Sequence, residues 1–198
     1  VRLRLTAKGI VESEVAVLME KTEAKLRAVL GDVVYGSNED RLEQVIGNLL
    51  ASRGDTIATA ESCTGGYVAH LLTSIAGSSR YFMGSVVAYD NTVKIKQLGV
   101  DKDALDQFGA VSKEVVTQMA EVVRQKLETT WALATSGIAG PDGGTETKPV
   151  GTVWIALAGP TGTIARKYQF GKDRERNIKK SAFTALDLLR NALISKID

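Results

Sequence analysis

Ser62, Cys63 and Thr64 stand in a row before Gly65 and Gly66, placing a hydroxyl, a thiol and a second hydroxyl within one turn of chain. A β-rich run, Thr56 to Thr59, leads into the stretch Thr59-Ala60-Glu61-Ser62-Cys63-Thr64-Gly65-Gly66, and a helical pattern from Tyr67 to Ile75 follows it. The start of a helix carries unpaired N–H groups that favour anions and developing negative charge. Two glycines there permit positive φ and a close approach of backbone to ligand. Ser62 is the leading candidate nucleophile on this reading, with N–H groups facing it that can hold an oxyanion. The competing reading is a helix N-cap, a place serine often fills. Cys63 is the rival nucleophile because a helix N-terminus lowers a thiol pKa, and its alternative is a small buried hydrophobe. His70, the one histidine, lies four residues beyond Gly66 on the helix, which argues for a structural role and against a Ser-His-Asp arrangement.

A serine without histidine needs another base, and a lysine of depressed pKa is the recurring substitute. Lys94 begins the helix that follows the run ending at Tyr89, so Tyr89 and Lys94 both reach toward one cleft, with the tyrosine able to orient or relay a proton. An edge tyrosine and a solvated lysine would have the same spacing. Ser136-Gly137-Ile138-Ala139-Gly140-Pro141-Asp142-Gly143-Gly144 has four glycines and the chemistry of an anion nest, and it matches neither a Walker A nor a G-x-G-x-x-G pattern. A long turn would share that composition. Lys172, Arg174, Arg176, Lys179 and Lys180 gather at the start of the last helix, the end that disfavours positive charge. A bound phosphate accounts for that placement, and a solvated face is the other account.

The elements that must position these groups follow from periodicity. Val1 to Ala7 alternates as a strand, Glu12 to Leu30 has helical spacing with Gly31 as C-cap, and Asp32 to Tyr35 is a second strand. Gly36-Ser37-Asn38 is turn chemistry that also supplies an N-cap, which sets a domain boundary after residue 36. The segment 1–36 is too short to bury a core of its own. From Glu39 to Ser52 the apolar residues recur at three and four, a helix leading into the Thr56 strand. Tyr81 to Tyr89 reads as a strand buried on both faces because of Val86-Val87-Ala88. Helices follow at Asn91–Leu98 and from the cap Ser112 to about Glu128, separated by a short turn or helix at 101–108. A strand from Trp131 to Thr135 runs into the glycine loop, Val150–Ala158 and Thr163–Phe170 form a hairpin, and Arg174–Ile197 is the closing helix. Alternation of strands and helices predicts an α/β fold, a three-layer α/β/α sandwich on a mixed sheet with a small N-terminal α+β fragment, whose loops gather at one sheet edge.

Composition narrows the function. Lys plus Arg number 25 against 23 Asp plus Glu, so the net charge of +2 leaves no nucleic-acid footprint. One cysteine and one histidine exclude a disulfide framework and argue against a Cys/His zinc site, and a reducing, cytoplasmic setting fits. No apolar run reaches the roughly 20 residues that span a bilayer, and the N-terminal stretch has no signal-peptide h-region. Val1 opens directly into a strand-like run, which predicts a longer parent protein. Arg2, Arg4 and Lys8 could meet RNA phosphates, with a salt-dependent affinity.

Taken together, Thr59–Gly66, Tyr89-Asp90-Asn91-Thr92-Val93-Lys94, Gly109-Ala110-Val111-Ser112, Ser136–Gly144 and Lys148-Pro149-Val150-Gly151-Thr152-Val153 resemble the C-terminal domain of the CinA family, the nicotinamide-nucleotide amidohydrolases, from about Glu39 to the end. The upstream 36 residues are similar to the end of the KH-like connecting region of full-length CinA proteins, which a molybdopterin-binding-like domain precedes. The resemblance implies hydrolysis of nicotinamide mononucleotide to nicotinic acid mononucleotide and ammonia, without cofactor or metal, in a cytoplasmic homodimer. It implies Ser62 as nucleophile with Lys94 and Tyr89 as activating partners. It also implies that the glycine loops, through Thr64, Gly65, Gly66, Ser136, Gly137, Gly140 and Gly143, hold oxyanion and nucleotide, and Arg174 is the choice for phosphate. The family pattern is Tyr-Ser-Asn where this chain has Tyr89-Asp90-Asn91, and a carboxylate close to Lys94 would raise the lysine pKa. A different class of function is a nucleotide-binding regulatory module in which Ser62 only caps the helix.

Overall fold

In the computed structural model, residues 3–195 are described, and they divide after Asp40 into two compact units. In the N-terminal unit the helical spacing forms α1 (Glu12–Leu30), with Glu12 and Glu14 in its first turn and Gly31, at φ 55°, closing its end. The strand expected at 1–7 is absent from the described residues 3–9, and Val1 and Arg2 lie outside them. The strand expected at 32–35 is instead a 3₁₀ turn, Gly31–Val33. A strand needs a neighbour to receive its backbone hydrogen bonds, and alternation of side chains does not supply one. The described part of this unit is therefore helix plus irregular chain.

The larger unit holds the sheet. Its elements are α2 (Leu42–Arg53), β1 (Ile57–Glu61), α3 (Tyr67–Thr73), β2 (Phe82–Val87), α4 (Asn91–Leu98), α5 (Lys102–Phe108), α6 (Lys113–Lys126), β3 (Trp131–Gly137), β4 (Thr152–Gly159), β5 (Gly162–Gln169) and α7 (Arg174–Ile194). Helix α2 opens at Leu42 with Arg41 before it, so the Gly36-Ser37-Asn38 turn does not cap it. The strand order is β2-β1-β3-β4-β5, parallel through β3 and antiparallel beyond. This is a mixed sheet in an α/β fold, as the alternation predicted.

The two faces of the sheet differ in side-chain size. Ala58, Ala60, Ala132, Ala134, Ala156 and Ala158 turn to one side, where α6 lays Val115, Val116, Met119, Ala120 and Val123. Ile57, Trp131, Leu133, Val153, Ile155 and Leu157 turn to the other and meet α2, α3 and α7. Small residues under α6 let one helix lie close to the strands, while the branched face fills the space beneath three helices. On α7 the buried set Ala182, Ala185, Leu186, Leu189 and Leu193 recurs at three and four, the stripe that docks it.

Strand β2 corrects the expectation of burial on both faces. It lies at the sheet edge and its residues alternate half-buried and exposed, with Met83 and Val87 open to solvent. The run Val86-Val87-Ala88 looked continuous, yet only one side of β2 has a paired neighbour. The topology matters for the site in one respect. Strands β1, β2, β3 and β5 all run the same way, so the segments after Glu61, Val87, Gly137 and Gln169 emerge at a single edge, where α7 also begins.

Candidate active site

Edge placement brings distant residues together. Ser62, Cys63, Tyr89, Lys94, Ser136, Gly137, Gly140, Gly143 and Arg174 all line one open cavity of about 290 Å³. Thr64, Gly65 and Gly66 do not line it. Such a volume is at the lower end for small-molecule sites, which run from about 300 to 1,000 Å³.

The turn between β1 and α3 is built by a residue that periodicity did not single out. Glu61, fully buried at the end of β1, accepts hydrogen bonds from Thr64 Oγ1 at 2.6 Å, Gly66 N at 3.0 Å, Val68 N at 3.0 Å and Ala69 N at 2.7 Å. Tyr67 N donates to Thr64 O. The carboxylate thus caps α3 and its negative charge lies at the positive end of the helix. Gly66, at the N-cap position with φ 96°, makes no side-chain cap, and a residue with a Cβ would be strained there. Two expectations change. Ser62 is not the cap, and its hydroxyl has no hydrogen-bond partner among the described residues, while Ser62 N donates to Thr135 O at 3.0 Å. The helix-start N–H groups expected to hold an oxyanion are already occupied by Glu61. Among the described residues, the N–H groups of Thr64 in this turn and of Ala139, Gly140, Asp142, Gly143 and Gly144 in the second loop have no acceptor, and that of Cys63 meets only its own thiol.

Below the turn lies a buried polar layer. Thr64 Oγ1 is 2.7 Å from Thr135 Oγ1, and buried Thr59 Oγ1 donates outward to the exposed Ser85 Oγ at 2.7 Å. Cys63 belongs to the core, and burial pushes its thiol pKa up to about 12. Thiolate at neutral pH is then scarce, which disfavours cysteine as the attacking group.

Lys94 is almost wholly buried, with 1% of its surface exposed. Its Nζ donates to Ala88 O at 2.8 Å and Tyr89 O at 3.1 Å. Burial lowers its pKa from 10.5, and the neighbouring Asp90 charge opposes that without reversing it. Asp90 is turned away to cap α4, accepting from Thr92 Oγ1 and Thr92 N, and these bonds lower its own pKa. The unusual aspartate in the Tyr-Asp-Asn block is therefore spent on a helix cap. A neutral lysine has two N–H bonds and a lone pair, and the two carbonyls take the N–H bonds. The third direction remains for the lone pair.

Tyr89 meets Lys94 through its main chain. Its ring hydroxyl, on a side chain largely open to solvent, instead accepts from Arg174 Nη2 at 2.8 Å. Arg174 Nη1 donates to Gly140 O at 2.7 Å, so this guanidinium has two neutral oxygens and no carboxylate on it among the described residues. Ser136 Oγ donates to Ala110 O at 2.7 Å, which ties the glycine loop to the Gly109–Ser112 block. Asn177 on α7, buried and unsuspected from sequence, donates to Ala139 O and Gly171 O, both at 2.9 Å. Among the described residues no group of three or more His, Cys, Asp or Glu side chains could hold a metal ion. No described helix is long and apolar enough to cross a membrane.

The profile of the CinA C-terminal domain matches residues 39–193. The chain belongs to the CinA family. A CinA-like protein of Trichormus variabilis is 50% identical over 99% of this chain and 48% of its own length, and one of Cytophaga hutchinsonii is 47% identical over 98% and 46%. The chain thus spans about half the length of the curated relatives it matches. Among solved CinA-type structures, the competence/damage inducible protein CihA from Agrobacterium tumefaciens is 35% identical with a TM-score of 0.72, covering 80% of this chain and 99% of that one. A CinA superfamily protein from Klebsiella pneumoniae is 30% identical with a TM-score of 0.75, covering 79% and 98%.

Proposed function

We propose that this CinA domain hydrolyses the carboxamide of nicotinamide mononucleotide, giving nicotinic acid mononucleotide and ammonia through a serine ester. The observation that carries the reading is Lys94, a buried amine pinned by two carbonyls in the cavity that Ser62 also lines. Neutral Lys94 takes the proton of Ser62 as Oγ attacks the carboxamide carbon. The tetrahedral species collapses to the ester, its C–N bond breaks, and the nitrogen leaves as ammonia carrying the proton from Lys94. Water then attacks the ester, gives its proton to Lys94, and the acid departs as Ser62 regains its hydrogen. The Cys63 N–H, one residue past the nucleophile, supplies an oxyanion donor, together with N–H groups of the 136–144 loop. Arg174 takes the phosphate, to which a guanidinium is suited by charge and geometry. A cytoplasmic setting and a homodimer belong to the same proposal.

The test is ammonia release from nicotinamide mononucleotide by the purified protein beside Ser62→Ala, Cys63→Ala and Lys94→Ala. Turnover that survives in Cys63→Ala and falls by about a thousandfold or more in the other two supports the reading. Nucleotide binding without ammonia in the wild type would leave a binding module and remove the catalytic roles.

A further inference from the structure

Asn177 stands outside the cavity and yet controls part of its wall. It lies in the second turn of α7, 1% exposed, and its Nδ2 spends both hydrogens on loop carbonyls, Ala139 O after β3 and Gly171 O after β5. Turning the amide over would set its oxygen against those two carbonyls, so the orientation follows from its partners. In that orientation Oδ1 is buried with no hydrogen-bond partner among the described residues. An unsatisfied buried acceptor is costly and rare, and it calls for a compensating role.

That role is legible in the peptide it grips. The Ala139–Gly140 bond is trans, and in a trans peptide the carbonyl and the following N–H point in opposite directions. With Ala139 O held toward α7, Gly140 N–H is turned the other way. Gly140 lines the cavity, its N–H has no acceptor among the described residues, and its own carbonyl accepts from Arg174 Nη1. Only glycine fits here, because φ is 91° and a Cβ would lie 2.6 Å from Val150 Cγ1.

We infer that Asn177 is a positioning residue for a phosphate subsite made of the Gly140 N–H and the Arg174 guanidinium. One charged and one neutral donor, joined through Gly140 O, then converge on a phosphate group, and Asn177 keeps the neutral donor aimed. The inference rests on the nucleotide reading above, since it assigns which end of the ligand meets this wall.

The experiment compares binding of nicotinamide mononucleotide and nicotinamide riboside, which differ only by the phosphate, to wild type, Asn177→Ala and Asn177→Ser, with folding checked by circular dichroism. The wild type is expected to prefer the mononucleotide, and Asn177→Ala to shrink that preference about tenfold while riboside affinity holds, with Asn177→Ser between. Equal loss for both ligands, or a change in stability with the preference intact, overturns the inference. Since either variant can fail to fold, the amide resonance of Gly140 is also followed in the wild type. It should shift on saturation with the mononucleotide and stay in place with the riboside, and an unmoved resonance overturns the inference as well. Ammonia release in the same preparations separates the two ideas, because a wild type that prefers the phosphate without turnover refutes the hydrolase and leaves this subsite standing. A wild type that binds neither ligand refutes both.

Discussion

Replacing Glu61 with glutamine is expected to destabilise the domain by about 2–4 kcal/mol, and the figure follows from its bonds. One oxygen serves Thr64 Oγ1, Gly66 N and Val68 N, and the other serves Ala69 N. A glutamine can keep only one acceptor oxygen, and its lowest-energy choice leaves that oxygen on the side with three donors. The new NH₂ then faces the Ala69 N–H, an orphaned donor worth about 1–3 kcal/mol. The two N–H bonds that remain lose their charge assistance and the helix loses an anion at its positive end, about 0.5–1 kcal/mol more. In a chain of this length each kcal/mol moves the melting temperature by about 2–4 °C, so a fall of roughly 5–15 °C is expected by calorimetry or denaturant titration. Glu121→Gln, an exposed control on α6, should change stability by less than about 0.5 kcal/mol. Because the same carboxylate holds the turn that presents Ser62, kcat should fall by about tenfold or more in Glu61→Gln with a smaller effect on KM. If Glu61→Gln unfolds with the control, the account of this carboxylate as the organiser of the turn is wrong.

Two further outcomes bear on the chemistry. Burial lowers the Lys94 pKa from 10.5, so the proton-accepting form appears below the pH at which a free lysine would titrate, and kcat/KM should rise with pH to a midpoint under 10.5. In that same window the unfolded chain binds the proton that the folded chain has released, so stability should also rise with pH there, and Lys94→Met should flatten both profiles. A rate profile that falls through the window would contradict the base assignment. Tyr89→Phe removes the hydroxyl that accepts from Arg174 and leaves both carbonyls on Lys94, so KM should rise about three- to tenfold with kcat within about twofold. A collapse of kcat instead would place the tyrosine hydroxyl in the proton transfer.

Much of the chain's order follows from neighbours a few residues apart. The Ser112 cap of α6 and the β4–β5 hairpin are local consequences of turn chemistry and form as expected, and the closing helix forms as α7 but ends at Ile194, with residues 196–197 of the expected span outside the described residues. The reactive types at Ser62, Lys94 and Arg174 were visible for the same reason, since a strand-to-helix junction can be read from its flanks. What escaped depends on residues far apart in sequence. The edge position of β2 is set by which strand lies beside β1, and one of the two partners of Asn177 is 38 residues away in chain. Glu61 stood in the Thr59–Gly66 stretch with no role of its own, and the structure gives it one by laying the start of α3 over its carboxylate. Alternation over residues 3–7 failed in the opposite sense, predicting a strand where, among the described residues, none forms. Periodicity reports which side of an element seeks burial, and it is blind to what arrives there, because that contact is settled by the packing of the whole core.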